Sequence, residues 1–130
     1  MMTVDHGPTH RTVPLIECDV TLLSPEEGGR TTSFPAGAFS NNRYRPHIVV
    51  GDPSIRHAAV NKRGVSTQEY IGVAFSDGPH LPAIGKEMKV LVALMYFPNP
   101  MYDKLKPGVM FTLREGPKIV GYGRVVRWLE

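Results

Sequence analysis

One cysteine in 130 residues excludes an internal disulfide and suits a reducing compartment. Cys18 falls on the apolar parity of an expected strand, so it reads as a buried thiol and not as a nucleophile. Long apolar runs are missing too. The longest, Val90 to Phe97, is far too short to span a bilayer. Met1 to Thr12 lacks the apolar stretch of a secretory signal. The expectation is a soluble, cytoplasmic protein with no membrane partner.

Catalytic signatures are equally scarce. The nearest approach to a phosphate-binding loop is Gly85-Lys86, but His80 stands at the motif's first glycine and Glu87 at its hydroxyl position. Without that loop the chain is not expected to bind GTP. It has no Gly-x-Ser-x-Gly elbow and no cysteine–histidine cluster with zinc spacing. Asp5, His6 and His10 are too few and too loosely spaced to read as a metal site. Glu17 and Asp19 lie on the polar parity of a strand and read as a solvated face. The expectation is a non-enzymatic protein without cofactor or metal.

What the chain does have is the composition of an ordinary globular domain, with 42% hydrophobic and 21% charged residues. Twelve prolines and thirteen glycines favour short strands and many turns over long helices. The length suits one domain with a real core. Residues 1–13 are polar and read as a flexible N-terminal arm; residues 14–130 form the domain. The net charge of +3 is unevenly spread. Residues 41–65 set Arg43, Arg45, Arg56, Lys62 and Arg63 against Asp52 alone, whereas residues 1–40 are net acidic. Such asymmetry fits either an anionic partner or a merely solvated surface.

Alternation identifies the strands. From Leu15 to Leu23, Ile16, Cys18, Val20 and Leu22 point one way. Ser24-Pro-Glu-Glu27 reads as a capping box for a single helical turn that Gly28-Gly29 ends. A long loop follows, from Thr31 to Asn42. Tyr44 to Val50 is the second strand, with Pro46 marking an edge, a bulge or a strand start. Residues 54–67 show no period. Glu69 to Phe75 and Glu87 to Tyr96 are further strands, the latter facing Met88, Val90, Val92 and Leu94 inward. The chain closes with two β-rich runs, Val109 to Arg114 and Ile119 to Trp128, joined by Glu115-Gly116-Pro117 as a hairpin. The last run is too apolar on both parities for an exposed edge. Gly121 and Gly123 remove side chains from one face, which permits a tight bend or the close approach of another surface.

The run Phe111-Thr-Leu-Arg-Glu-Gly-Pro-Lys-Ile-Val-Gly-Tyr-Gly-Arg-Val-Val126 resembles the end of the C-terminal barrel domain, the third domain, of the elongation factor Tu family. There a strand leads into Arg-Glu-Gly-Gly and a Val-Gly-x-Gly-x-Val strand closes the chain. Glu26-Glu-Gly-Gly-Arg30 after the first strand and Tyr44-Arg-Pro46 at the second extend the resemblance to roughly residues 15–130. It implies an all-β fold: a small six-stranded antiparallel β-barrel, here standing alone. In the full factor that barrel lies beside a second barrel and a GTPase domain. It grips the T stem of aminoacyl-tRNA and contacts the exchange factor.

Carried over residue by residue, the resemblance implies binding roles for Arg30, His47, Glu115 and Gly116. Arg30 matches an arginine near the RNA backbone, where a guanidinium suits phosphate. Glu115 matches a glutamate that accepts from a guanine amino group in the shallow RNA groove, and Gly116 the glycine that allows close approach. His47 stands where the family has a glutamine. Thr31 replaces the histidine after Arg30, Asp52-Pro-Ser-Ile-Arg56 and an insertion replace a Thr-Thr-Asp segment, Tyr96-Phe97 replaces a lysine, and Pro117 replaces the second glycine of the tip.

These departures favour an unknown protein partner for an interaction module acting as decoy or regulator in translation-related binding. The alternatives are a weak tRNA-binding module and a structural subunit of a split elongation factor. At the tip, Phe111, Leu113 and Val120 are expected to be buried and Glu115 exposed. Glu115→Ala is then expected to change stability by less than about 0.5 kcal/mol.

Overall fold

The computed structural model describes residues 2–6, 9–63 and 68–129, with side chains from residue 12 onward. Nine strands and two short 3-10 turns make up its regular structure. The strands are β1 (Met2–His6), β2 (Thr9–Val13), β3 (Leu15–Leu22), β4 (His47–Val50), β5 (Ile71–Gly72), β6 (Ala74–Asp77), β7 (Met88–Ala93), β8 (Met110–Glu115) and β9 (Lys118–Trp128). In the stretch read as an arm, the backbones of β1 and β2 pair antiparallel as a separate two-stranded sheet. Residues 7 and 8, and the side chains of Asp5, His6 and His10, lie outside the described residues.

The domain is all-β: a curled, barrel-like antiparallel sheet of seven strands in the order β5-β4-β8-β9-β3-β7-β6. Its two edge strands, β5 and β6, are consecutive in the chain, with Val73 alone between them. Val73 N–H donates to Pro46 O at 3.3 Å and Phe75 N–H to Tyr44 O at 2.8 Å. The expected strand from Tyr44 thus begins as a ladder only at His47. Pro46 has no N–H to return a bond, so residues 44–46 accept from the neighbouring chain without exchanging bonds with it.

The expected inward residues form the core. Ile16, Cys18, Val20 and Leu22 of β3 pack with Val90, Val92 and Leu94, with Ile71, Val73 and Phe75, and with Phe111, Leu113, Val120 and Val125. Burial, and then the nearby carboxylates Asp19 and Glu17, push the Cys18 thiol up from 9.0 to about 12, so it stays protonated and unreactive.

β9 lies between β3 and β8, as its two apolar parities require. Its alternation is not continuous. The pairing with β8 slips between Leu113 and Arg114, leaving Val120 as the extra residue, and the pairing with β3 slips between Glu17 and Cys18, leaving Val126 extra. Each bulge inverts the inward parity. Hence Val120 and Gly121 both turn inward while Ile119 stands opposite Arg114, outside the core cluster, and Val125 takes the core position that simple alternation assigns to Val126.

Between the bulges Gly121 and Gly123 face inward, paired with Leu22 and Val20 on one side and with Leu113 and Phe111 on the other. A methyl group on Gly123 would stand 2.3 Å from Asp19 O and 2.9 Å from Phe111 Cζ. The Phe111 ring fills the space that the missing side chain leaves, and the strands approach closely at that point.

Two outer faces depart from expectation. Glu17 and Asp19 are not simply solvated. Glu17 pairs with Lys89 (3.4 Å) and Arg127 (3.5 Å), and Asp19 with Lys89 (3.5 Å) and Arg124 (3.1 Å), so cations on β7 and β9 cover both carboxylates. On β8, Thr112 and Arg114 are buried although they alternate with core residues. Gln68 and Tyr70 lie over them: Arg114 Nη1 donates to Gln68 Oε1 at 3.0 Å and Tyr70 Oη at 3.1 Å, and Nε to Thr112 Oγ1 at 2.9 Å.

Gly123→Ala is expected to destabilise the protein by about 1–3 kcal/mol, because backbone and ring must both move to admit the methyl. Denaturant unfolding checks it; a loss under about 0.5 kcal/mol would mean that β3 and β9 are not held this closely.

Candidate functional site

The hairpin tip is built by a two-residue turn. β8 ends at Glu115 and β9 starts at Lys118, which pair directly across Gly116-Pro117. Gly116 has φ of 58°, and proline fixes a negative φ at the next position. That sign pattern belongs to a II′ turn, which wants glycine first. Gly116 therefore has a local structural reason to be glycine. A Cβ there would meet open space, so the surface over it is free for close approach.

The long loop after β3 supplies the rest of the site. Ser24 caps the turn Pro25–Glu27 in a reciprocal capping box, as its sequence spells out. That hydrogen bonding with Ser24 lowers the carboxyl pKa of Glu27. The chain then brings Arg30 back toward the hairpin. Beyond it Phe34, Phe39 and Tyr44 pack with Phe75 of β6. The closest pair, Phe34 with Tyr44, has ring centroids 4.7 Å apart and nearly perpendicular planes. Such edge-to-face contacts add about 0.5–1.5 kcal/mol each beyond area burial. Asn41 and Asn42, both at φ 59°, turn the loop so that this cluster can form; asparagine tolerates the left-handed region better than most residues.

On this aromatic floor Arg30 and Glu115 meet. The Arg30 guanidinium lies 3.9 Å from the Phe34 ring centre, and its Nε is 3.5 Å from Glu115 Oε2. The same carboxylate oxygen accepts from the Tyr44 hydroxyl at 2.6 Å. Burial first, and then the bond to Glu115, hold the Tyr44 phenol well above the usual range, so it remains a donor at any physiological pH.

The sequence-derived expectations fare unevenly here. Phe111, Leu113 and Val120 are buried, as expected. Glu115 is not a free surface charge: its side chain is 31% exposed and carries two contacts. The sequence does not disclose this, because the partners come from residues 71 and 85 positions away. His47 stays apart from the pair. It is exposed, stands opposite Arg114 in the β4–β8 register, and leans toward Tyr70 with ring centres 5.7 Å apart.

Phe34 and Tyr44 are the site residues that sequence reasoning missed. Their signal was present: three aromatics, Phe34, Phe39 and Tyr44, recur in one loop, and such large apolar groups need cover. Among the described residues no group of His, Cys, Asp and Glu is placed to hold a metal ion, and no helix is long and apolar enough to cross a membrane. No known protein-family model matches the chain.

Because the Tyr44 hydroxyl depends on Glu115, Glu115→Ala is now expected to cost about 1–2 kcal/mol by orphaning a part-buried donor, more than an idle surface charge would. A double-mutant cycle of Tyr44→Phe with Glu115→Ala should give a coupling of about 1.5 kcal/mol in thermal or denaturant melts. Independent effects would show that the two side chains do not meet in solution.

Proposed function

We propose that the chain is a non-enzymatic interaction module of the elongation factor Tu C-terminal barrel type, recognising a protein partner through the face that carries the hairpin tip. The fold supports the type. Counted as one strand interrupted at Val73, β5 and β6 turn the seven pairing segments into the six strands that the resemblance implies.

The observation that carries the partner reading is the commitment of Glu115. Its Oε2 atom is shared between Tyr44 and Arg30, so neither the glutamate nor the arginine stands open as the resemblance requires for RNA. Pro117 has in addition removed a backbone donor at the tip. What is left is a stiff, nearly neutral knob on an aromatic base. Preformed surfaces of this kind lose little freedom on docking and suit protein recognition. A decoy or regulatory role in translation-related binding follows if the partner also recognises the elongation factor.

Weak tRNA binding is the second reading. It rests on the basic residues Arg43, Arg45, Lys62 and Arg63, all on exposed positions.

Affinity capture from cell extract, with and without nuclease, separates the two. A protein should be retained after nuclease, and retention should fall with Glu115→Ala but not with Met110→Gln, a change at an exposed position away from the tip. Recovery of RNA alone, with tRNA affinity that weakens as salt rises, would replace this reading by the second one.

A further inference from the structure

Arg30 divides its guanidinium between two oxygens. Its Nε lies 3.5 Å from Glu115 Oε2, and its Nη2 donates to Thr32 Oγ1, also at 3.5 Å. The Phe34 ring backs the same group at 3.9 Å. One cation is therefore shared between a carboxylate and a neutral hydroxyl.

Thr32 is the middle one of three consecutive exposed hydroxyl residues, Thr31, Thr32 and Ser33. The segment belongs to no helix or strand, and no backbone hydrogen bond joins residues 30–34 to any described residue. Side chains hold it: Arg30 through Glu115, and Phe34 through Phe39 and Tyr44. The main chain is free to lie extended in the groove of another protein, as functional surface loops do. Of the three hydroxyls, that of Thr32 alone has a guanidinium within hydrogen-bonding distance among the described residues.

From these placements we propose that Thr32 is a phosphorylation site, and that its phosphate takes Arg30 away from Glu115. In the active site of a serine/threonine kinase the γ-phosphoryl group of ATP passes to Thr32 Oγ1. The bond to the ADP leaving group breaks as the new P–O bond forms, and the kinase's base takes the hydroxyl proton. The product carries a charge of about −1.5 to −2 and three strong acceptor oxygens. Arginine–phosphate bonds are charge-assisted and frequently bidentate.

Glu115 is the weaker claimant. It offers a single negative charge, and the oxygen that faces Arg30 already accepts from Tyr44 at 2.6 Å. Arg30 and Glu115 are neutral as a pair; with the phosphate the group becomes acidic, and the freed carboxylate is repelled. The inference goes beyond the partner reading and does not depend on it. Where that reading holds, phosphorylation changes the charge that a partner meets at the tip.

The full chain, incubated with ATP, Mg²⁺ and an extract of the cells that make it, is fragmented for mass spectrometry. Phosphate should lie on Thr32, and Thr32→Val should remove it. No incorporation, or phosphate confined to Thr31, Ser33 or another segment, would overturn the site.

The switch is read separately, in full-length protein made with phosphothreonine at position 32. The Arg30 Nε–H resonance should leave the position it has in the unmodified protein, while the amides of β3 and β7 keep theirs. The second ionisation of the phosphate, followed by phosphorus NMR, should move to higher pH in Arg30→Gln, because losing the cation favours the less charged form. An Arg30 resonance that ignores the phosphate, or an ionisation that ignores Arg30→Gln, would overturn the switch. Neither failure touches the capture experiment, so the interaction-module reading stands or falls by itself.

Discussion

The seam between residues 44–46 and residues 73–75 is the constraint on which the rest of the structure depends. Two backbone bonds, from Val73 N–H to Pro46 O and from Phe75 N–H to Tyr44 O, draw the edges of the curled sheet together. Unpaired edges would otherwise expose rows of donors and acceptors to other chains. The same bonds fix Tyr44, whose ring packs on Phe75 and whose hydroxyl reaches Glu115. Sheet curvature and site geometry thus share residues. A change that opens the seam also releases the hydroxyl donor that holds Glu115 of the tip.

Curvature has its own local cause in β9. Two bulges place Val120 and then Val125 toward the interior, and between them the glycine pair lets β3 come close. Larger side chains at Gly121 or Gly123 would force the sheet flatter. The hairpin tip would then be carried away from the loop that holds Arg30.

Much of this was legible in the sequence, and the failures have physical reasons. Strand positions in β3, β7 and β8 follow from period-two alternation, and the Ser24 capping box and the Gly116-Pro117 turn from local hydrogen-bond and φ requirements. Alternation could not reveal the bulges, since a one-residue slip leaves composition unchanged and shows only in the partner strand. It could not reveal the burial of Arg114 either, because the cover comes from Gln68 and Tyr70 more than forty positions away. At the site, the residue types were right for Arg30 and Glu115. Their mutual engagement was invisible, being a contact between distant segments. His47 was named through the resemblance alone, and its geometry sets it beside Tyr70, outside the Arg30–Glu115 pair.

Amide hydrogen exchange at Val73 and Phe75 tests this account most directly. If the seam joins the sheet edges, both amides should be protected to about the level of the β8–β9 ladder, opening only with global unfolding. Exchange as fast as that of the exposed loop around Ser54 and Ile55 would show an open sheet, and would remove the support that holds Tyr44 against Glu115.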